Sequence, residues 1–344
     1  MQSILPVITD ADNAAPLYMQ AFAALDADTL LKAEDSPLSS QSAKQSANKA
    51  ADLVSPAVAD LLARHATTLD VIRLHRMGQH AASEPILISA LVGIEIDAIA
   101  LDTLVQILPR LTKADLPLLK SAEFRDAIST APNLTRILYG EEAFGMSTVA
   151  DIADSQLNAF DLAPAIGQEG TRLAFPLLLP IFRTFFLPAD IAGYRGIMRR
   201  YQEVAADRRP YAELKQKLDS IEGDSRGRGQ GMLSAMLLPR LNAVYRKTAE
   251  TQARHAAAAV LVAATKQRLE SGSLPSSLDA LVPTLLPTVP RDHFAADTPL
   301  VLKQSGADWS VYSVGPDGED DGGPVPAGAE KPQGNDDVGL RMGL

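Results

Sequence analysis

The chain has 344 residues, 46% of them hydrophobic, a formal net charge of −10, and no cysteine. That length exceeds one typical core and favours two domains. The acidic balance argues against a nucleic-acid partner, because phosphate binding needs a basic face, and the missing cysteines exclude disulfides, thiolate zinc sites and cysteine nucleophiles.

Aromatic residues make up only 5% of the chain, while alanine and leucine abound, which favours helices over sheets. The opening MQSILPVITDADNAAP carries no basic n-region and no apolar h-region of a secretion signal. Asp12 and Asn13 can cap a first helix running through Pro16 and Leu25. Residues 33–49 are polar and Ser-rich and read as a loop. Pro56 opens a second helix, with Val58, Leu61, His65, Leu69, Ile72 and Leu74 on one stripe as far as Gly78. Ser83 is the expected cap of a third, with Glu84 and Pro85 in its first turn, lasting to about Leu108. Its apolar run is interrupted by Glu95, Asp97 and Asp102, so it does not read as a membrane span.

Shorter helical patterns follow around 114–130 and 147–160, at 175–187 and 189–206 on either side of Pro188, and at 210–221. Glycines 223, 227, 229 and 231 mark a break. The expected division is a helical domain over 1–222, a Gly-rich linker over 223–231, and a smaller α+β module over 232–344. That module starts with a long helix, about Met232 to Glu270, kinked at Pro239 and ended by Gly272. Ser276 to Asp279 reads as a capping box for a short helix that Pro283 stops. Leu300–Gln304 and Trp309–Val314 alternate as a β-hairpin, with Trp309 packing it onto the long helix. The fold class is therefore mainly α, with a hairpin and an acidic loop at the C-terminal end.

The acidic loop is the strongest chemical signal. Asp317, Glu319, Asp320, Asp321, Asp336 and Asp337 crowd a segment with almost no apolar residue. Charges at this density need solvent screening or a cation. Asp317, Glu319 and Asp321 before Gly322 imitate the start of an EF-hand loop, but its twelfth position is Gly328 where a bidentate Glu is required. Two readings stand: an ordered calcium site using Asp317, Asp320, Asp321, Asp336 and Asp337, or a solvated acidic tail.

Other candidates carry less. Glu84, Glu95 and Asp102 are spaced to fall within about 20° of one another on a helix, a pattern open to acid–base hydrolysis or to a plain wet edge. None of His65, His75, His80, His255 and His293 shows metal-ligand spacing. Glu141 and Glu142 read as surface residues.

From Leu274 to Val338 the chain resembles the C-terminal part of the major pseudopilins of type II secretion. The matching runs are GSLPSSLDALVPTLLPTVPRDHF, PLVLKQSGADWSVYSVGPDGEDDGG and GNDDV. The resemblance implies a long helix feeding a small antiparallel sheet and a calcium-binding loop. Asp317 then matches the acidic ligand after the strand, and Asp336 or Asp337 the later one. The family's processing motif and anchor helix are absent, and a long helical sequence stands in their place. The whole chain, with NAAPLYMQAF and EPILISALVGIEIDAIA, resembles uncharacterised bacterial helical proteins that carry this tail.

The expected function is a non-catalytic cell-envelope scaffold with an envelope protein partner and a structural Ca2+. The alternatives are a hydrolase using the helical acids, or a carrier of lipids or small ligands built on the apolar segments 86–108 and 175–188. The setting is periplasmic or extracellular if a leader is missing, and cytoplasmic otherwise.

Overall fold

The computed structural model describes residues 67–129, 133–153, 182–207, 209–225, 241–295, 298–305, 308–325, 332 and 334–343. The expected helix around 16–25, the Ser-rich stretch, the Pro56 helix start with His65, residues 154–181, glycines 227, 229 and 231, and Pro239 lie outside them. Among the described residues the fold is mainly helical, with one three-stranded antiparallel sheet.

Helix α1 (Thr68–Ala81) starts on a capping box: the Asp70 carboxylate accepts from the Thr67 backbone N–H at 2.8 Å and from its hydroxyl at 2.7 Å. It buries Val71, Ile72, Leu74 and His75 against α2 (Leu87–Ile107). The two helices approach at paired glycines. A Cβ on Gly78 would stand 2.9 Å from the Gly93 carbonyl oxygen, and one on Gly93 would stand 2.6 Å from that of Gly78. A methyl group at either position forces the helices apart.

Helix α2 begins later than expected. Ile86 is its N-cap, and Glu84 sits exposed in the preceding turn. The local signal of Ser83 gives way to a tertiary one. Glu141, far along the chain, accepts the Leu87 backbone N–H at 2.9 Å, placing a carboxylate on an otherwise uncapped helix start. Glu141 is thus a cap rather than a plain surface residue. Short helices α3 (Leu116–Leu119) and α4 (Ala122–Ser129) then drive Leu119 and Phe124 fully into the core.

Helix α5 (Leu134–Ala153) begins well before the expected 147. Gly140 and Gly145 lower the helical signal of its first half. Their small size is required by packing: a Cβ on Gly140 would overlap the Pro85 carbonyl, and one on Gly145 would overlap the Tyr194 hydroxyl. Residues 182–186 form one π turn that runs straight into α6 (Leu187–Ala206). Pro188 therefore occupies the first turn of a helix, where its missing N–H costs nothing, rather than separating two helices. Helix α7 (Tyr211–Ser225) contains Gly223.

Helix α8 (Leu241–Ser271) has 31 residues and ends at Gly272, with φ +82°. It enters two hydrophobic clusters. Leu241, Val244 and Tyr245 join residues of α2, α5, α6 and α7, while Ala257 to Leu269 join α1, α2, α4 and the sheet. Both clusters contain residues from each side of the Gly-rich 223–231 stretch.

The expected short helix is a single 3-10 turn, Asp279–Leu281. The hairpin is β1 (Val301–Ser305) with β2 (Asp308–Ser313), and Leu302 faces Val311. A third strand that the sequence reading did not place, β3 (Val338–Gly343), pairs with β2 so that Trp309 faces Met342 and Val311 faces Leu340. These four side chains are at most 2% exposed and share the α8 cluster.

Burial pushes the Glu141 carboxyl above its ordinary range, against the pull of the Leu87 N–H. A raised carboxyl favours folding at low pH, and that contribution fades as pH rises from the ordinary glutamate value through the folded one. Glu141→Gln keeps an acceptor for Leu87 and removes this loss. Denaturant melts at about pH 4 and about pH 7 should move the difference between variant and wild type in the variant's favour at the higher pH. An unchanged difference would show that the carboxyl is not desolvated.

Candidate functional site: a buried His–Asp–His bridge, a charged cleft and the acidic loop

Asp97 interrupts the apolar face of α2 and is only 6% exposed. An isolated carboxylate there would be prohibitive, so its partners matter. Its Oδ1 lies 2.5 Å from His75 Nδ1 on α1, and its Oδ2 lies 2.6 Å from His255 Nε2 on α8. The other nitrogen of His255 donates to the Ile128 carbonyl of α4 at 2.8 Å, since a carbonyl only accepts. The Gln79 amide stands 3.0 Å from His75 Nε2. Burial works to raise the Asp97 carboxyl, but hydrogen bonds from His255 and His75, with their charges, outweigh it and hold it low. One buried carboxylate thus joins α2 to α1 and to α8.

Asp97 also reaches the edge of a cleft of about 410 Å³ between α2, α8 and the acidic loop. Its walls carry Asp102, Lys247, Arg254, Asp336 and Asp337. The helical acids singled out by spacing do not converge on a shared reaction centre. Glu84 lies off the helix. Glu95 pairs with Lys247 at 3.0 Å, and Asp102 pairs with Arg254 at 2.5 Å. Desolvation pushes the Asp102 carboxyl up, and Arg254 pulls it back. Glu95 and Asp102 thus each serve as one half of a bridge from α2 to α8.

The acidic loop leaves β2 at Ser313. Its start is pinned by buried Asp292, whose carboxylate accepts the Ser313 hydroxyl at 2.5 Å and the Val314 N–H at 3.0 Å. Most loop carboxylates then turn back on the loop itself. Asp317 accepts the Glu319 N–H, and Asp320 accepts the Gly322 N–H and the Tyr312 hydroxyl. Asp321 accepts the Asp336 N–H at 2.8 Å, stitching the two halves of the loop together. Glu319 and Asp336 are exposed. Asp337 differs: it is 4% exposed, its Oδ2 accepts the Gly323 N–H at 2.7 Å, and its Oδ1 is buried without a partner. Asn335 donates to the Gly323 carbonyl while its own amide oxygen is likewise buried and unpaired. Desolvation pushes the Asp337 carboxyl up, against the pull of the Gly323 and Asp321 backbone N–H groups, and the nearby charges of Asp320 and Asp321 add to the rise.

Among the described residues no three histidine, aspartate or glutamate side chains stand close enough to hold a metal ion, and no helix is long and apolar enough to cross a membrane. Calcium, however, also takes amide and backbone carbonyl oxygens. The two orphaned oxygens of Asn335 and Asp337 are of the type it uses.

The sequence reading missed Asp97, His75 and His255 as one network, and missed Asp292 and Asn335. The available signal was Asp97 itself, a charge inside an apolar run.

Asp97→Asn should cost about 3–5 kcal/mol in urea unfolding near neutral pH, because it breaks a buried bridge in which one carboxylate serves two imidazoles. A carboxyl held low contributes stability above its unfolded value and loses it as pH falls through the folded one. The gap to wild type should therefore close in acid; a gap that persists would count against the bridge. No family model, no curated protein and no solved structure matches this chain.

Proposed function

We propose that the protein is a non-catalytic scaffold of the cell envelope whose C-terminal acidic loop is closed by a structural Ca2+. The helical part presents its surface to an envelope partner. The observation that carries the reading is Asp337, a buried carboxylate with one oxygen satisfied by a backbone amide and the other by nothing. Asn335 repeats the pattern beside it. A loop with these orphaned oxygens, and with Asp320 and Asp321 raising the cost of the Asp337 charge, is stabilised by a cation of oxygen preference.

Asp337 and the amide oxygen of Asn335 would hold the ion, with Asp320 and Asp321 nearest in charge. Calcium would supply neutralisation, not chemistry. The scaffold reading is supported by the ion pairing of Glu95 and Asp102, which occupies the carboxylates a hydrolase would use. The envelope setting rests on the resemblance to the pseudopilin module and on the calcium available outside the cytoplasm.

The test is thermal unfolding with excess calcium and with chelator. At a hundredfold excess over Kd the ion should add about 2.7 kcal/mol to stability. Asp337→Asn should abolish the increment while leaving the metal-free melt unchanged or higher, since it removes a desolvated charge. Identical wild-type melts in calcium and chelator would overturn the proposal.

A further inference from the structure

Strand β3 stands at one edge of the sheet, in the order β1–β2–β3. Its ladder with β2 uses the N–H and C=O groups of alternate residues, so those of the others face outward. Among the described residues no backbone hydrogen bond reaches that outer edge. Helix α8 packs on both β2 and β3, whereas α2 packs on β3 and hardly on β2, so α2 stands on the free-edge side.

The space between strand and helix is open. The cleft of about 410 Å³ runs past Asp336 to Gly339, and a second of about 260 Å³ follows β3 on to Gly343. They meet at Asp102, Val325 and Gly339, which line both. The result is one groove along a strand of six residues, about 20 Å of extended chain. Ile94, Ala98, Leu101 and Val105 of α2 give it an apolar floor. Each half also holds a buried acceptor without a donor, Asp337 Oδ1 in the first cleft and Gln106 Oε1 in the second. The bases of the first cleft are already engaged, Lys247 by Glu95, Arg254 by Asp102 and Arg246 by Glu250. Asp337 pairs with no base among the described residues.

We infer that this groove takes an extended peptide segment of a partner protein as a fourth strand on β3, with a basic side chain at the Asp337 end. The inference deepens the scaffold reading by naming the form in which a partner is held; it rests on that interacting role and not on calcium. A row of outward N–H and C=O groups at strand spacing is matched by another extended backbone. Every second side chain of that backbone would lie on the apolar floor. A second copy of this chain does not fit. Pairing β3 edge to β3 edge would bring each copy's α2, which stands beside its own β3, into the place of the other's strand.

The experiment is fluorescence anisotropy of the labelled peptide KTVTVTV with the full chain, in chelator so that no metal occupies Asp337. A counterpart with N-methylated backbone amides keeps the side chains, loses the donors, and should bind at least about tenfold more weakly. ETVTVTV, with the charge at its first residue reversed, should bind several-fold more weakly. Hydrogen exchange of residues 338–343 should slow when the peptide saturates the chain. Ala98→Phe fills the floor and should lose about tenfold in affinity with the melt unchanged; if that variant fails to fold, the exchange measurement on wild type still decides. Equal binding by the N-methylated peptide, or unchanged exchange in β3, overturns the inference. So does self-association that slows β3 exchange without peptide, which would give the edge to a second copy. No binding by any of these peptides removes the strand-addition site and leaves the calcium melts to judge the loop separately.

Discussion

One buried carboxylate governs how the helices sit on one another. Asp97 is held by imidazoles from α1 and α8, and His255 in turn reaches the end of α4. Hydrophobic contacts alone tolerate sliding, because one methyl group packs about as well as the next. A directional bridge with charge at its centre does not, since any slip leaves an unpaired ion in the core. The two outer pairs, Lys247–Glu95 and Arg254–Asp102, lie on the same α2–α8 seam and repeat its register at the surface. Three polar contacts along one seam thus fix the placement of the long helix, and through it the sheet that packs on its far end.

The acidic loop solves a different problem with the same means. Six carboxylates cannot all find cations in a chain of net charge −10. The loop instead sets four of them, Asp317, Asp320, Asp321 and Asp337, on its own backbone N–H groups, where a carboxylate accepts strongly. Asp321 on the Asp336 amide and Asp337 on the Gly323 amide close the loop across its mouth. What remains is the deficit at Asp337 and Asn335, and that deficit is what makes the region a candidate site rather than a well-satisfied surface turn.

Much of this architecture was legible in sequence. Apolar stripes located α1, α2, α7 and the bulk of α8, and alternation located the hairpin, because those elements bury one face each. What failed did so for identifiable reasons. The front half of α5 was hidden by Gly140 and Gly145, which are there for close contacts with Pro85 and Tyr194 that no local rule reveals. The start of α2 was misplaced because its cap is Glu141, 54 positions away in sequence. Strand β3 contains Gly339 and Gly343, which weaken its strand signal, and only its pairing with β2 declares it. For the candidate site, the acidic residues stood out by density, yet which of them is unsatisfied depends on burial. The Asp97 network was unreadable as a unit because its second histidine lies 158 positions further along the chain.

Strand β3 has a kinetic implication. Its Leu340 and Met342 complete a core that begins with Val71 and Ile72, so the two ends of the described chain meet in one cluster. Contacts of such sequence separation form late and slow the folding of a domain, because loop closure precedes any reward. Until β3 arrives, β2 presents an unpaired edge beside exposed Trp309 and Val311, a surface prone to pairing with another chain. The time a nascent molecule spends in that state, more than the strength of any finished contact, sets its exposure to aggregation.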